Sequence, residues 1–209
     1  MKILLLGEFS ALHKNLKDGL VALGHEVDIA SSGDAWKNIE RDIDLSVKAG
    51  YSNKLKKALI LYKVLKLVKK YDIVQLINAF TFYNKFMLNK YYYRMLINNS
   101  KKFYLLAAGS DAYFWLNGRK KLKYGPFDDF LKYEMKNAKK FYMESNRAFS
   151  INKFLADNCD GIIPIMHEYE TSYDNHKNLM NTIPIPMNIE KIKYTDNIIK
   201  DKIVIFHGL

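Results

Sequence analysis

With a single cysteine, Cys159, among 209 residues, the chain forms no internal disulfide. That usage agrees with a reducing cytoplasm. Also missing is any stretch close to the roughly 20 uncharged apolar residues that a membrane-spanning helix requires. The opening run from Met1 to Gly7 is too short for a secretory leader, and no small-residue cleavage site follows it, so it reads as a buried strand. Four chemical signatures are absent as well: a Gly-x-Gly-x-x-Gly dinucleotide fingerprint, a Lys-Ser/Thr phosphate cradle, a His-Glu-x-x-His metal motif and a Gly-x-Ser-x-Gly nucleophile elbow. There is no repeat of roughly 20 to 50 residues and no low-complexity tract beyond an abundance of lysine.

What is present describes a globular domain large enough to bury a sizeable core. Hydrophobic residues make up 49% and charged residues 26% of the chain, ordinary proportions for that class. The net charge is +11, supplied mostly by lysine. Two causes fit it: a general Lys, Asn, Ile and Tyr bias of the kind AT-rich coding produces, or a basic face for an anionic partner. No recognition motif for nucleic acid accompanies the charge, and the tyrosines follow apolar segments rather than a basic stripe, so nucleic acid is not an expected partner.

Apolar runs alternate with helical patterns. Ile3 to Leu6 is followed by a helix marked by Leu16, Leu20 and Leu23, and Gly24 stops it. His25 to Ala30 reads as the next strand, so the tight strand-helix-strand spacing requires a parallel pair. Asn53 to Lys70 is a long helix feeding a strand at Tyr71 to Asn78, and a helix over Tyr83 to Asn98 feeds one at Lys102 to Ala108. Pro126, with Asp128 and Asp129 behind it, suits a helix start, and a second helix runs from about Arg147 to Asp157. The strand Gly161 to Met166, a short helix near Glu168 to Leu179, and a closing apolar run at Lys202 to Leu209 complete the pattern. Such runs imply an α/β fold, doubly wound, with a mostly parallel Rossmann-like sheet.

Taken in order, these segments resemble the N-terminal domain of GT-B glycosyltransferases, the glycosyltransferase 4-like type. The residues that carry the resemblance are Lys2 to Gly7, the Leu20-Val21-Ala22-Leu23-Gly24-His25-Glu26-Val27 pattern, Tyr71-Asp72-Ile73-Val74-Gln75 and Gly109-Ser110-Asp111. Asp160 to Pro164, Ile183 to Asn188 and Ile203 to Leu209 add to it. The resemblance implies an acceptor-side domain over residues 1–200 and the first strand of a C-terminal donor-binding domain at 201–209. It also implies transfer of a sugar from a nucleotide-sugar donor to a glycan or lipid-linked saccharide, with the chemistry in a cleft between the two domains. On this reading the domain itself holds no cofactor and no metal. The nucleotide sugar belongs to the full-length enzyme, and the fragment alone is expected to be inactive.

Loops at the carboxyl ends of the strands would form one wall of that cleft, as they do in open α/β sheets generally. Gly7, Phe9, Ser10 and His13 follow the first strand, where backbone N-H groups at a helix start suit a phosphate or a sugar hydroxyl. Gly109 and Ser110 follow the fourth strand of the resemblance, and Asp111 is a candidate general base there. Relatives often carry histidine directly before Gly-Ser-Asp, whereas this chain has Ala108. Either Asp111 or another residue then acts as base, or the donor phosphate assists, or activity has been lost; a helix cap is the alternative role for Asp111. Glu168 and Tyr169 are candidate acceptor contacts, although acidic residues also suit a helix start.

Lys56, Lys63, Lys66 and Lys70 fall on one face of the long helix, opposite Ala58, Leu61, Val64, Leu65 and Val68. Packing of the apolar face on the sheet is the plain expectation, and contact of the basic face with anionic lipid is the functional one. The expected location is therefore cytoplasmic, with peripheral contact at the inner membrane face as an added option. A rival from another class is a noncatalytic Rossmann-like module for a phosphorylated small ligand.

Overall fold

The computed structural model describes residues 1–47, 53–83, 88–124 and 142–189. The helix expected after Pro126 and the strand expected at 202–209 lie outside the described residues. So does the segment assigned to a donor-binding domain.

Six strands form one all-parallel sheet in the order β3-β2-β1-β4-β5-β6. They are β1 (Lys2–Leu6), β2 (Glu26–Ser31), β3 (Ile43–Asp44), β4 (Ile73–Leu76), β5 (Phe103–Ala107) and β6 (Gly161–Pro164). The doubly wound, Rossmann-like α/β class expected from the sequence is the observed one. β3 is the strand that pattern reading passes over, because its two residues are too few to display a period.

Alternate residues of β1 enter different cores, as the pleat demands. Ile3 and Leu5 join Val27 and Ile29 under Leu16 and Leu20 of helix α1 (Leu12–Ala22). Leu4 and Leu6 join the larger core on the other face, with Leu61 and Val64 of α2 (Asn53–Leu67), Tyr92, Tyr93 and Leu96 of α3 (Asn89–Asn99) and, further along the chain, Ile151 and Leu155. Gly24, at φ 82°, closes α1 by the expected glycine cap: its N-H reaches Val21 O (2.9 Å) and that of His25 reaches Leu20 O (3.1 Å).

The apolar stripe of α2 and of the 3-10 turn after it (Val68–Lys70) is spent on the core at Leu61, Val64 and Val68, while Lys56, Lys63, Lys66 and Lys70 are exposed. Ala58, placed on the apolar face by the wheel, is exposed. No helix among the described residues is long and apolar enough to cross a membrane.

After β5 the chain makes a π-helical turn, Phe114–Gly118, that runs into the short α4 (Arg119–Lys121). Helix α5 (Asn146–Asn158) is capped by Ser145, whose hydroxyl accepts from the Ala148 N-H at 3.0 Å. Helix α6 (His167–Tyr173) follows β6.

Candidate functional site

The sheet changes winding direction between β1 and β4, and the loops leaving these strands meet at that switch point, where open α/β sheets bind their ligands in a crevice. Gly7, at φ 86°, turns the chain out of β1 where space is short. A side chain there would place its Cβ 2.5 Å from Ile77 Cγ2 and 3.0 Å from Thr81 Cγ2, so only glycine fits.

Glu8 then turns inward. Its buried carboxylate accepts from the backbone N-H of His13 (3.2 Å) and of Lys14 (2.9 Å), which are N-terminal donors of α1. Burial raises its pKa, and the N-H groups of His13, Lys14 and Phe9 pull it back down. The donors that a strand-to-helix turn normally offers to a phosphate are thus already filled by an internal anion. An acidic residue just ahead of a helix start was the sequence signal for this, and it is lost if the segment is scanned only for glycines.

His13 is 0% exposed beneath that loop. Its Nδ1 lies 2.7 Å from Gly7 O and its Nε2 lies 3.1 Å from Gln75 Nε2. A carbonyl only accepts, so Nδ1 carries the proton and Nε2 accepts from Gln75. Desolvation lowers the pKa to about 4, and the ring stays neutral. His13 braces the turn from below rather than facing the crevice.

Ser10 and Ala11 follow in left-handed conformation, at φ 49° and 63°. The Ser10 N-H donates to Asp34 Oδ2 (2.8 Å), and Lys37 Nζ donates to both Ser10 Oγ (2.6 Å) and Asp34 Oδ2 (2.9 Å). The loop after β1 is in this way fastened to the loop after β2, a pairing between residues 24 and 27 apart that no local pattern announces.

On the other side of the crevice, Phe9 lies against Gly109. That glycine has φ 69°, and a Cβ on it would meet the Phe9 ring at 2.8 Å. Asn78 ties β4 to β5 by donating from Nδ2 to Ala108 O (2.7 Å), while its Oδ1 accepts from Phe80 N-H (2.7 Å). Tyr169 packs its ring on Phe114 with centroids 4.9 Å apart, and burial pushes its pKa up to about 12 against a lowering effect of the Gly109 backbone. Ser110 is half-buried at this rim. Glu168 is half-buried too, and its backbone carbonyl accepts from Ser172 Oγ (2.6 Å).

Asp111 sits below the rim and is 1% exposed. Its Oδ1 accepts from Phe114 N-H (2.8 Å), the bond of a cap, and its Oδ2 accepts from Tyr173 OH (2.5 Å). Tyr173 OH in turn accepts from Asn152 Nδ2 (2.7 Å), whose Oδ1 accepts from the N-H groups of Ala112 (3.1 Å) and Tyr113 (3.2 Å). Burial raises the Asp111 pKa to about 6 against the lowering effect of Phe114, Tyr173 and Tyr113. A base must present a free oxygen to the substrate hydroxyl. Here each oxygen accepts one bond beneath the loop and the carboxyl is closed off from solvent, so in this arrangement Asp111 caps the turn at Phe114. Asn152 and Tyr173, which complete the network, come from α5 and α6 and have no signature in sequence.

Gly7, Phe9, Ser10, Gly109, Ser110 and Tyr169 are therefore brought into one rim, with His13 and Asp111 as supports below it. No group of His, Cys, Asp and Glu among the described residues is arranged to hold a metal. No protein-family model matches the chain, and no curated protein matches it either. The chain is a parallel α/β domain with a six-stranded sheet of order 3-2-1-4-5-6.

Proposed function

We propose that this chain is the acceptor-side domain of a two-domain glycosyltransferase, which moves a sugar from a nucleotide-sugar donor to a glycan or lipid-linked saccharide. The observation that carries the reading is the Glu8 carboxylate on the His13 and Lys14 N-H groups. With those donors filled by an anion, the helix end at the switch point repels a phosphate instead of cradling it. What the rim leaves for a ligand matches hydroxyls: the Ser10 and Ser110 hydroxyls, the mutually neutralised Asp34–Lys37 pair beside Ser10 and the aromatic surface of Phe9. These groups suit an acceptor saccharide better than a nucleotide or a phosphorylated metabolite.

In this reading Asp111 positions Gly109 and Ser110, and proton removal falls to another group or to the donor phosphate. The nucleotide-sugar site belongs to a second domain. The basic face of α2 is free to lie near anionic lipid, where a lipid-linked acceptor is presented. The test offers the 209-residue chain oligosaccharide acceptors and nucleotide sugars together. Saccharide binding without product is the expected result. Sugar transfer by the chain unaided, or failure of any saccharide to bind, overturns the reading.

A further inference from the structure

The two tryptophans differ as far as two side chains can. Trp115 is 0% exposed, whereas Trp36 is 88% exposed. An indole is among the largest apolar groups a fold can bury, and tryptophan is usually well covered, so an open one beside a crevice calls for an occupant.

Trp36 is not on a slack loop tip. It lies in the short 3-10 turn Ala35–Lys37, between Asp34 (φ 56°), Ala35 (φ 55°) and Asn38 (φ 43°), all in the left-handed region. Together with Ser10 and Ala11 they make up the positive-φ residues other than glycine among the described residues, so this strain is confined to the two loops after β1 and β2. Each such residue costs of the order of 1 kcal/mol and persists only where its surroundings fix it. The fixing groups are present: Ile39 N-H closes on Gly33 O (2.8 Å), and Arg41 donates to Asn38 Oδ1 (2.9 Å) and to Ile39 O (3.1 Å). On the crevice side, Asp34 and Lys37 fasten the turn to Ser10.

We propose that Trp36 is a stacking platform for a pyranose ring of the acceptor, with Asp34, Lys37 and Ser10 binding that sugar's hydroxyls. This inference rests on the glycan-acceptor reading above and names a subsite within it. A pyranose has a face of C-H bonds and a rim of hydroxyls; an indole face takes the first and flanking polar groups take the second. Asp34 Oδ1 accepts no bond among the described residues, and Lys37 Nζ keeps a third N-H, so donor and acceptor capacity remain in the residues that flank Trp36. The turn that carries the indole is fixed before the ligand arrives, which lowers the ordering cost of binding.

The test uses the 209-residue chain, nitrogen-labelled, titrated separately with maltotriose, cellotriose and chitotriose. The two indole N-H signals report on Trp36 and Trp115 individually. At least one of these sugars is expected to move the Trp36 signal and leave that of Trp115 in place. Trp36→Ala is expected to bind that sugar about tenfold more weakly, with Trp36→Phe restoring part of the affinity. An unchanged Trp115 signal in both variants certifies the fold. A sugar that moves the Ser10 and Gly109 amide signals, leaves Trp36 unmoved and binds Trp36→Ala unchanged overturns the platform while the glycan reading stands. If none of the three moves any signal, both are overturned.

Discussion

Two carboxylates, Asp34 and Asp111, do the same task on opposite sides of the crevice and in opposite surroundings. Each follows a strand and accepts a backbone N-H, from Ser10 at 2.8 Å and from Phe114 at 2.8 Å respectively. Asp34 is partly open to solvent and paired with Lys37, which together with the Ser10 N-H lowers its pKa against a desolvation penalty. Asp111 is closed off, paired with no cation among the described residues, and pushed up to about 6 by burial. The loops after β1 and β2 are thus fastened to each other by screened surface bonds at the expense of backbone strain. The loop after β5 is held by a dry network with ordinary backbone except at Gly109.

Breaking each side should give unequal costs. Near pH 4, where the Asp111 contribution is fully present, Asp111→Ala leaves the Phe114 N-H and the Tyr173 hydroxyl without an acceptor in a buried place, and about 3 kcal/mol of unfolding free energy should be lost in urea titration. A loss below about 1 kcal/mol would mean that the network is not dry.

The pH response sharpens the same contrast, because the buried groups of the two sides titrate in opposite senses. Asp111 has its folded pKa raised from 3.8 to about 6, so its contribution is fully present below about pH 4 and is lost as pH rises through 6. His13 has its folded pKa lowered from 6.5 to about 4, so its contribution is fully present above about pH 6.5 and is lost as pH falls through 4. Each shift of about two pKa units corresponds to roughly 3 kcal/mol. Across pH 4 to 6 the two largely cancel, and wild-type stability should be nearly flat for these groups. Asp111→Asn should uncover a stability that rises with pH by about 2 kcal/mol over that window, and His13→Asn one that falls by a similar amount. Parallel profiles in all three proteins would refute the assignment.

Asp34→Ala is the matched cut on the open side, and about 1 kcal/mol or less is expected there, since water replaces the lost acceptor. Its larger effect should be motional, with the Trp36 indole signal broadening or sharpening while the Trp115 signal keeps its width. Lys63→Ala and Lys66→Ala on the exposed face of α2 stand at the small end, within about 0.5 kcal/mol of wild type by the same denaturation measurement.

Much of the fold was legible because it is written in local periods. The apolar runs of β1, β4, β5 and β6, the α1 face of Leu16 and Leu20, and the Gly24 stop all follow from spacing and glycine chemistry. β3 escaped because two residues carry no period. The site was legible only in part, for a similar reason. Gly7, Phe9, Ser10 and Gly109 are betrayed by their place at strand ends, and they do converge. The bonds that decide their chemistry span the chain: Asp34 to Ser10, Asn152 to Ala112 and Tyr113, and Tyr173 to Asp111. Burial is also invisible to residue type. His13 reads as a ligand contact and Asp111 as a base in a sequence, and only the fold shows them 0% and 1% exposed beneath the rim.

The central claim is that the switch-point crevice takes a neutral saccharide because Glu8 has closed the helix end to anions. Its most direct test is amide shift mapping of the 209-residue chain with inorganic phosphate and with uridine diphosphate, set against the same map for an oligosaccharide that binds. The account predicts that neither anion moves the Gly7, Phe9 and Ser10 signals, that the saccharide does, and that Glu8→Ala gains phosphate binding at the His13 and Lys14 amides. Saturable phosphate binding to those amides in the wild-type chain would contradict it.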